Sequence, residues 1–179
     1  MRIMAPGWRV FTWFALLFCV FQTPSLAEPR LHQPAPPLTV TAADGRVIDL
    51  EAMRGKVVLI DFWATWCAPC LSELPALGVF YRKHQAEGFE VIALSVDRPR
   101  NRENMLKLLA KLPFPGALLS DATRNGFGSP ESVPAIYLID ARGNLRETLP
   151  AADEELLDRS VLPLLKEIRA SPVAAEGGR

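Results

Sequence analysis

The sequence predicts an α/β sandwich on a mixed central sheet, and three observations carry that expectation. Residues 56–62 (KVVLIDF) and 89–96 (FEVIALSV) are near-continuous apolar, β-branched runs, the character of strands buried on both faces. Leucines after each run recur at three- and four-residue spacing, the period of an amphipathic helix. The chain then closes on two short strand-like runs about a turn and a last helical stretch, an alternation that layers helices on a sheet.

Taken in order, residues 1–27 begin with Arg2 and Arg9 and continue through an apolar run at 10–21 in which only Thr12 is polar. They end on Ser25-Leu26-Ala27. A basic start, a short apolar centre and a small-x-small end describe a secretory signal peptide cut after Ala27. The alternative is an uncleaved membrane anchor, although the run is short of the ~20 residues a spanning helix needs. Residues 28–37 (EPRLHQPAPP) hold four prolines and form an extended lead-in. A domain over 38–170 follows, and 171–179 is a polar, disordered tail.

Within that domain, 38–50 (LTVTAADGRVIDL) alternates about Asp44-Gly45 as a β-hairpin does. Leu71, Leu74, Leu77 and Tyr81 mark a helix with a kink expected at Pro75. Met105, Leu108, Leu109 and Leu112 mark another, with Asn101 as its N-cap. Residues 117–119 form a short strand, 135–140 (AIYLID) a longer one, 141–144 a turn and 145–149 its partner. Leu157, Val161, Leu164, Leu165 and Ile168 give a last helix interrupted or kinked at Pro163.

Composition narrows the function classes. With 49% hydrophobic and 22% charged residues the chain is no disordered segment. Its 20 basic and 20 acidic side chains leave no basic surface for nucleic acid. Removing the leader takes away Arg2, Arg9 and Cys19 and leaves a mildly acidic chain whose cysteines are Cys67 and Cys70. Both belong to one C-x-x-C, in a compartment where disulfides persist.

Cys67-Ala68-Pro69-Cys70 falls between a buried strand and a helix start. There the unpaired N–H groups and the positive dipole end stabilise a thiolate at Cys67, the nucleophile of disulfide exchange. Cys70, one turn on, is placed to close an intramolecular disulfide and resolve a mixed one. Pro69 fits the first turn because its missing N–H would be unpaired there. A structural staple would constrain little chain across two residues. A structural zinc site needs four protein ligands, and only His32 and His84 are added after the leader. Asp61, in the middle of VVLIDFW, points a carboxylate into a core, where its pKa should rise; such an acid near Cys70 can take and return a proton. Glu73 lies one turn after Cys70 on the same helical side, the alternative being an exposed acid near the dipole's positive end.

Residues 57–70 (VVLIDFWATWCAPC) resemble the active-site segment of thioredoxin-fold proteins. FWATWC and the C-x-x-E-x-P of Cys70, Glu73 and Pro75 resemble the TlpA/ResA-like branch of exported thiol-disulfide oxidoreductases. Ser132-Val133-Pro134-Ala135 resembles the loop that carries the family's cis-proline. The resemblance spans about residues 34–168. It implies a thioredoxin-like three-layer sandwich, with an N-terminal β-hairpin and a central strand–helix insertion at 97–119. It further implies a cis Pro134 beside the sulfurs, the Val133 backbone free to pair with an extended substrate, and Trp66, Ala68 and Pro69 on the docking surface. Asp61 matches the buried Asp of thioredoxins, where many TlpA/ResA-like proteins carry a neutral residue, so the chain mixes two patterns.

The expected activity is thiol-disulfide exchange with protein substrates in the periplasm or as a secreted protein, with no cofactor beyond the Cys67–Cys70 disulfide. The expected direction is reduction, in cytochrome c maturation, with electrons from a membrane thiol donor. Membrane association is expected only with an uncleaved leader. Three rivals stand beside this reading, one of them a redox-dead docking module, against which the intact C-x-x-C argues. A peroxiredoxin-like peroxidase needs a peroxidatic Cys in a Pro/Thr-bearing loop. A copper-handling chaperone for a respiratory oxidase needs a third ligand near the cysteines, and His84, about four turns beyond Cys70, is too far. Arg98, Arg100 and Arg102 are read as a solvated turn.

Overall fold

The computed structural model describes residues 29–170; the leader at 1–27 and the tail at 171–179 lie outside the described residues. Eight strands and three α-helices follow one another: β1 (Leu38–Thr41), β2 (Val47–Asp49), β3 (Val57–Trp63), α1 (Ala68–His84), β4 (Phe89–Ser95), α2 (Arg102–Leu109), β5 (Gly116–Leu118), β6 (Ala122–Asn125), β7 (Ala135–Ile139), β8 (Leu145–Leu149) and α3 (Glu154–Ala170). The central sheet runs β5-β4-β3-β7-β8. Its β3–β4 and β4–β5 pairs are parallel, and its β3–β7 and β7–β8 pairs antiparallel, so the sheet is mixed as expected.

Every residue of β3 is buried, which is why the run lacks alternation. The pleat still sorts its side chains. Val57, Leu59 and Trp63 join α1, α2 and α3 in one core, with Phe80, Leu77, Met105, Leu157 and Leu165. Val58, Ile60 and Phe62 face the opposite core, shared with Leu38, Val40, Ile48 and Phe127. One outer layer is helical; the other is a three-stranded antiparallel sheet, β2-β1-β6.

The hairpin expected at 38–50 forms as β1 and β2, with Gly45 at φ +85 in its turn. β6 has no counterpart among the expected elements. Its ATRN text lacks apolar alternation, and its strand character comes from pairing with β1. The interruption expected as one outcome at Pro163 does not occur: α3 runs unbroken through it, as α1 does through Pro75. Leu74, Leu77 and Gly78 on α1, and Val161, Leu164 and Leu165 on α3, are buried, and this anchorage holds each helix across its missing N–H. Helix α2 ends at Leu109, leaving Leu112 in the turn before Pro113, which cannot continue a helix. Asn101 does occupy the N-cap of α2 but makes no side-chain cap bond; its amide donates to Asp97 instead, at 3.3 Å.

The proline-rich lead-in is fastened to the domain. Gln33 O accepts from Leu145 N at 2.9 Å, and Ala35 N donates to Gly143 O at 2.9 Å. Pro34 bridges Asn144. None of the described helices is long and apolar enough to cross a membrane.

Candidate active site

The C-terminal end of β3 delivers the chain into a tight turn. Cys67 N donates to Ala64 O at 3.1 Å, and Cys67 becomes the N-cap of α1. As an N-cap its sulfur stands where a serine oxygen commonly does, accepting the N–H of Cys70 at 3.3 Å. The two sulfurs are joined in a disulfide of 2.07 Å. Cys67 is 4% exposed and Cys70 1%, whereas Trp66 is 66% exposed. Ala68 and Pro69 are exposed as well, so exposed Trp66, Ala68 and Pro69 adjoin a disulfide that is itself almost fully buried. Trp63 is fully buried, its indole N–H without a hydrogen-bond partner among the described residues.

A second segment closes against the first. The Val133–Pro134 bond is cis, and the Val133 carbonyl oxygen lies 3.6 Å from Cys67 Sγ. In the disulfide neither sulfur has a proton to donate, so this contact becomes an S–H···O bond only when Cys67 is a thiol. β7 brings the segment here by pairing with β3 as far as Phe62 against Ala135.

Two acids come from the same elements, Asp61 from β3 and Glu73 from α1. Asp61 has the facing of Leu59 and Trp63 in the pleat, toward the helical layer, and is 4% exposed. Burial pushes its carboxyl up to about 7, the charge of Glu73 adding to the effect. Its Oδ1 is buried without a hydrogen-bond partner among the described residues, an arrangement that disfavours the ionised form. Glu73 is half-buried; its carboxyl is also raised, chiefly by burial, against the lowering effect of the Ala152 N–H and with a further rise from Asp153. That N–H reaches Glu73 Oε2 at 3.1 Å and ties α1 to the residues leading into α3.

The catalytic and docking residues expected from the sequence thus lie on β3, the turn leading into α1, the first two turns of α1 and the loop before β7. Sequence reasoning missed Asp97. Its carboxylate accepts from Thr65 N at 2.7 Å, Thr65 Oγ1 at 2.8 Å and Ser95 Oγ at 2.8 Å, besides Asn101. Burial works to raise this carboxyl, but the hydrogen bonds from Thr65, Ser95 and Asn101 outweigh it and hold it below the usual range. An Asp directly after a buried strand, at the level where Thr65 leaves β3, was the available signal.

Of the three arginines read as a solvated turn, Arg98 and Arg100 are exposed. Arg102 is exposed too, and it also holds Asp121 through two bonds of 2.6 and 2.8 Å. His84 lies buried at the far end of α1 against Glu87. No group of three or more His, Cys, Asp or Glu able to hold a metal ion occurs among the described residues.

Residues 31–148 match the AhpC/TSA family. The thiol-disulfide oxidoreductase ResA of Bacillus cereus is 32% identical over 120 residues, 67% of this chain and 69% of that protein. The thioredoxin-like protein YneN of Bacillus subtilis is 30% identical over 133 residues, 72% and 77% of the respective chains. Among solved structures, a Chlorobium tepidum protein assigned provisionally as thiol:disulfide interchange protein DsbE superposes with a TM-score of 0.66 at 29% identity. That match covers 77% of this chain and 99% of the other. With the C-x-x-C closed at the head of α1, the chain belongs to the AhpC/TSA family and is a thiol-disulfide oxidoreductase of the ResA/DsbE type with the thioredoxin-like fold.

Proposed function

We propose that the protein reduces disulfides of protein substrates outside the cytoplasm. Cys67 is the attacking thiolate, Cys70 the resolving thiol, Asp61 and Glu73 the proton-handling acids, and Val133–Pro134 with Trp66, Ala68 and Pro69 the docking edge. The observation that carries this reading is the seat of Cys67: its sulfur accepts the Cys70 N–H at the helix start, and Cys67 is the slightly more exposed of the two cysteines.

In the reaction the Cys67 thiolate attacks a substrate disulfide, forming a mixed disulfide and releasing one substrate thiolate. Cys70 gives its proton to Asp61 and attacks the Cys67 sulfur. The Cys67–Cys70 disulfide closes and the second substrate thiolate leaves, taking the proton back. Two electrons pass to the substrate, and no group beyond the cysteine pair is required. A carboxyl held near 7 exchanges that proton at neutral pH. A membrane thiol donor would re-reduce the pair, with the disulfide of oxidised apocytochrome c as a substrate class. The leader-like text of 1–27 supports an extracytoplasmic site, and Ala68-Pro69, lacking a cation, gives no special reason for a strong oxidant.

The test is the reduction potential of the protein beside insulin-disulfide reduction. A reductant should poise well below DsbA-type oxidants at about −120 mV, and Cys67→Ala should abolish insulin reduction. A potential near the DsbA value would refute the direction, and full activity in Cys67→Ala would refute the nucleophile.

A further inference from the structure

The site is bordered by two loops of opposite charge. Strands β4 and β7 flank β3 on opposite sides, so their loops at this end of the sheet border the Cys67 segment left and right. On the β4 side, Val96 N bonds Trp63 O at 2.8 Å and Asp97 grips Thr65, which fixes residues 96–97 against the turn that carries Trp66. The next residues are Arg98, Pro99 and Arg100, all exposed. Asp97 is 4% exposed and its charge is turned inward on Thr65, Ser95 and Asn101, so it does not offset the guanidinium groups at the surface by pairing with them. Charges further along cancel in pairs, Arg102 with Asp121 and Glu103 with Lys107.

The opposite side is acidic. Glu131 is exposed two residues before Val133, whose carbonyl touches Cys67. Asp153 and Glu154 are exposed at the head of α3, where Ala152 N binds Glu73. The mouth therefore has a cationic edge over β4 and an anionic edge over β7 and β8, with the exposed Trp66 and the disulfide between them.

We infer that this divided mouth orients protein partners by charge, favouring a segment with acidic residues on one flank of its reacting cysteine and basic residues on the other. Arg98 and Arg100 receive the acidic flank; Glu131, Asp153 and Glu154 receive the basic one. The inference rests on the proposed exchange with protein disulfides at this site. Opposed charges on such edges act mainly on encounter rate and orientation.

The test uses two peptides of identical composition, each a mixed disulfide with 2-mercaptoethanol. One carries glutamates before its cysteine and lysines after it; the other has the reverse order. Reduced protein is mixed with each, and peptide-thiol release is timed. The ratio of the two rates is the readout, so general losses of activity cancel. It should be about tenfold at low ionic strength, collapse toward one by ~0.5 M NaCl, and fall to one or invert in R98E/R100E and in E131K/E154K. Equal rates for the two peptides at low salt, or a ratio that R98E/R100E leaves in place, would overturn the inference. If neither peptide nor uncharged bis(2-hydroxyethyl) disulfide were reduced at all, the exchange reading itself would fall and this inference with it.

Discussion

A carboxyl in the middle of a fully buried strand either stays protonated or weakens the fold that buries it. Asp61 is in that position, its pKa raised from 3.8 to about 7 by burial and by Glu73. Between those values the folded protein holds a proton that the unfolded chain has lost. Stability therefore falls as pH rises from about 4 to about 7 and is level beyond, a cost of about 4 kcal/mol for a shift of this size. Asp61→Asn keeps the shape without the ionisation. In urea unfolding the variant should match the parent near pH 4 and exceed it by ~2–4 kcal/mol at pH 8. The same change should remove the inflection near 7 from the pH profile of insulin reduction. A stability difference that is the same at both pH values would show that Asp61 is not held protonated. This residue was legible in the sequence because a charge inside VVLIDFW has only one place to go.

Elements show where that legibility ends. Buried strands and helical faces announce themselves through apolar content, and β3, β4, α1 and α3 stand where the text places them. β6 could not be read, because a four-residue edge strand with exposed Thr123 and Arg124 is defined by its partner β1 and not by its own pattern. Pro163 misled in part for the complementary reason: local propensity allows an interruption there, and burial of Val161, Leu164 and Leu165 on both sides of it carries the helix through. Asp97 belongs to the same class, since what it does depends on Thr65, thirty-two positions away and brought close by the parallel β3–β4 register. Asp97→Ala would leave the Thr65 N–H and the Ser95 and Thr65 hydroxyls without their acceptor at a buried site. A loss of ~2–4 kcal/mol in unfolding free energy is expected. Faster hydrogen exchange at the Thr65 amide should accompany it, reporting a loosened turn ahead of Cys67. If stability fell while Thr65 exchange stayed slow, Asp97 would be a core residue with no hold on the site.

At the scale of the whole molecule, the question is what keeps a five-stranded sheet from exposing its edges. The β5 edge meets the β1–β2 hairpin, where Ala43 N donates to Gly116 O at 2.8 Å. The other edge, at the start of β8, is met by the lead-in: Leu145 N and O and Gly143 O all bond residues 32–35. Further on, Pro37 O accepts from Gly126 N at 2.7 Å, binding the lead-in to the segment after β6 as well. Four prolines in 28–37 exclude a helix but leave carbonyls free to accept, so the text that reads as a spacer supplies an edge cover. A chain beginning at Leu38 should consequently keep the fold and the C-x-x-C but lose about 2–4 kcal/mol, the net worth of a few backbone bonds. Its freed β8 edge should also make it associate as concentration rises, where a chain beginning at Pro29 does not. Urea midpoints and sedimentation of the two chains would decide the matter. Equal midpoints and equal sedimentation would mean that β8 needs no cover and that the domain begins at its first strand.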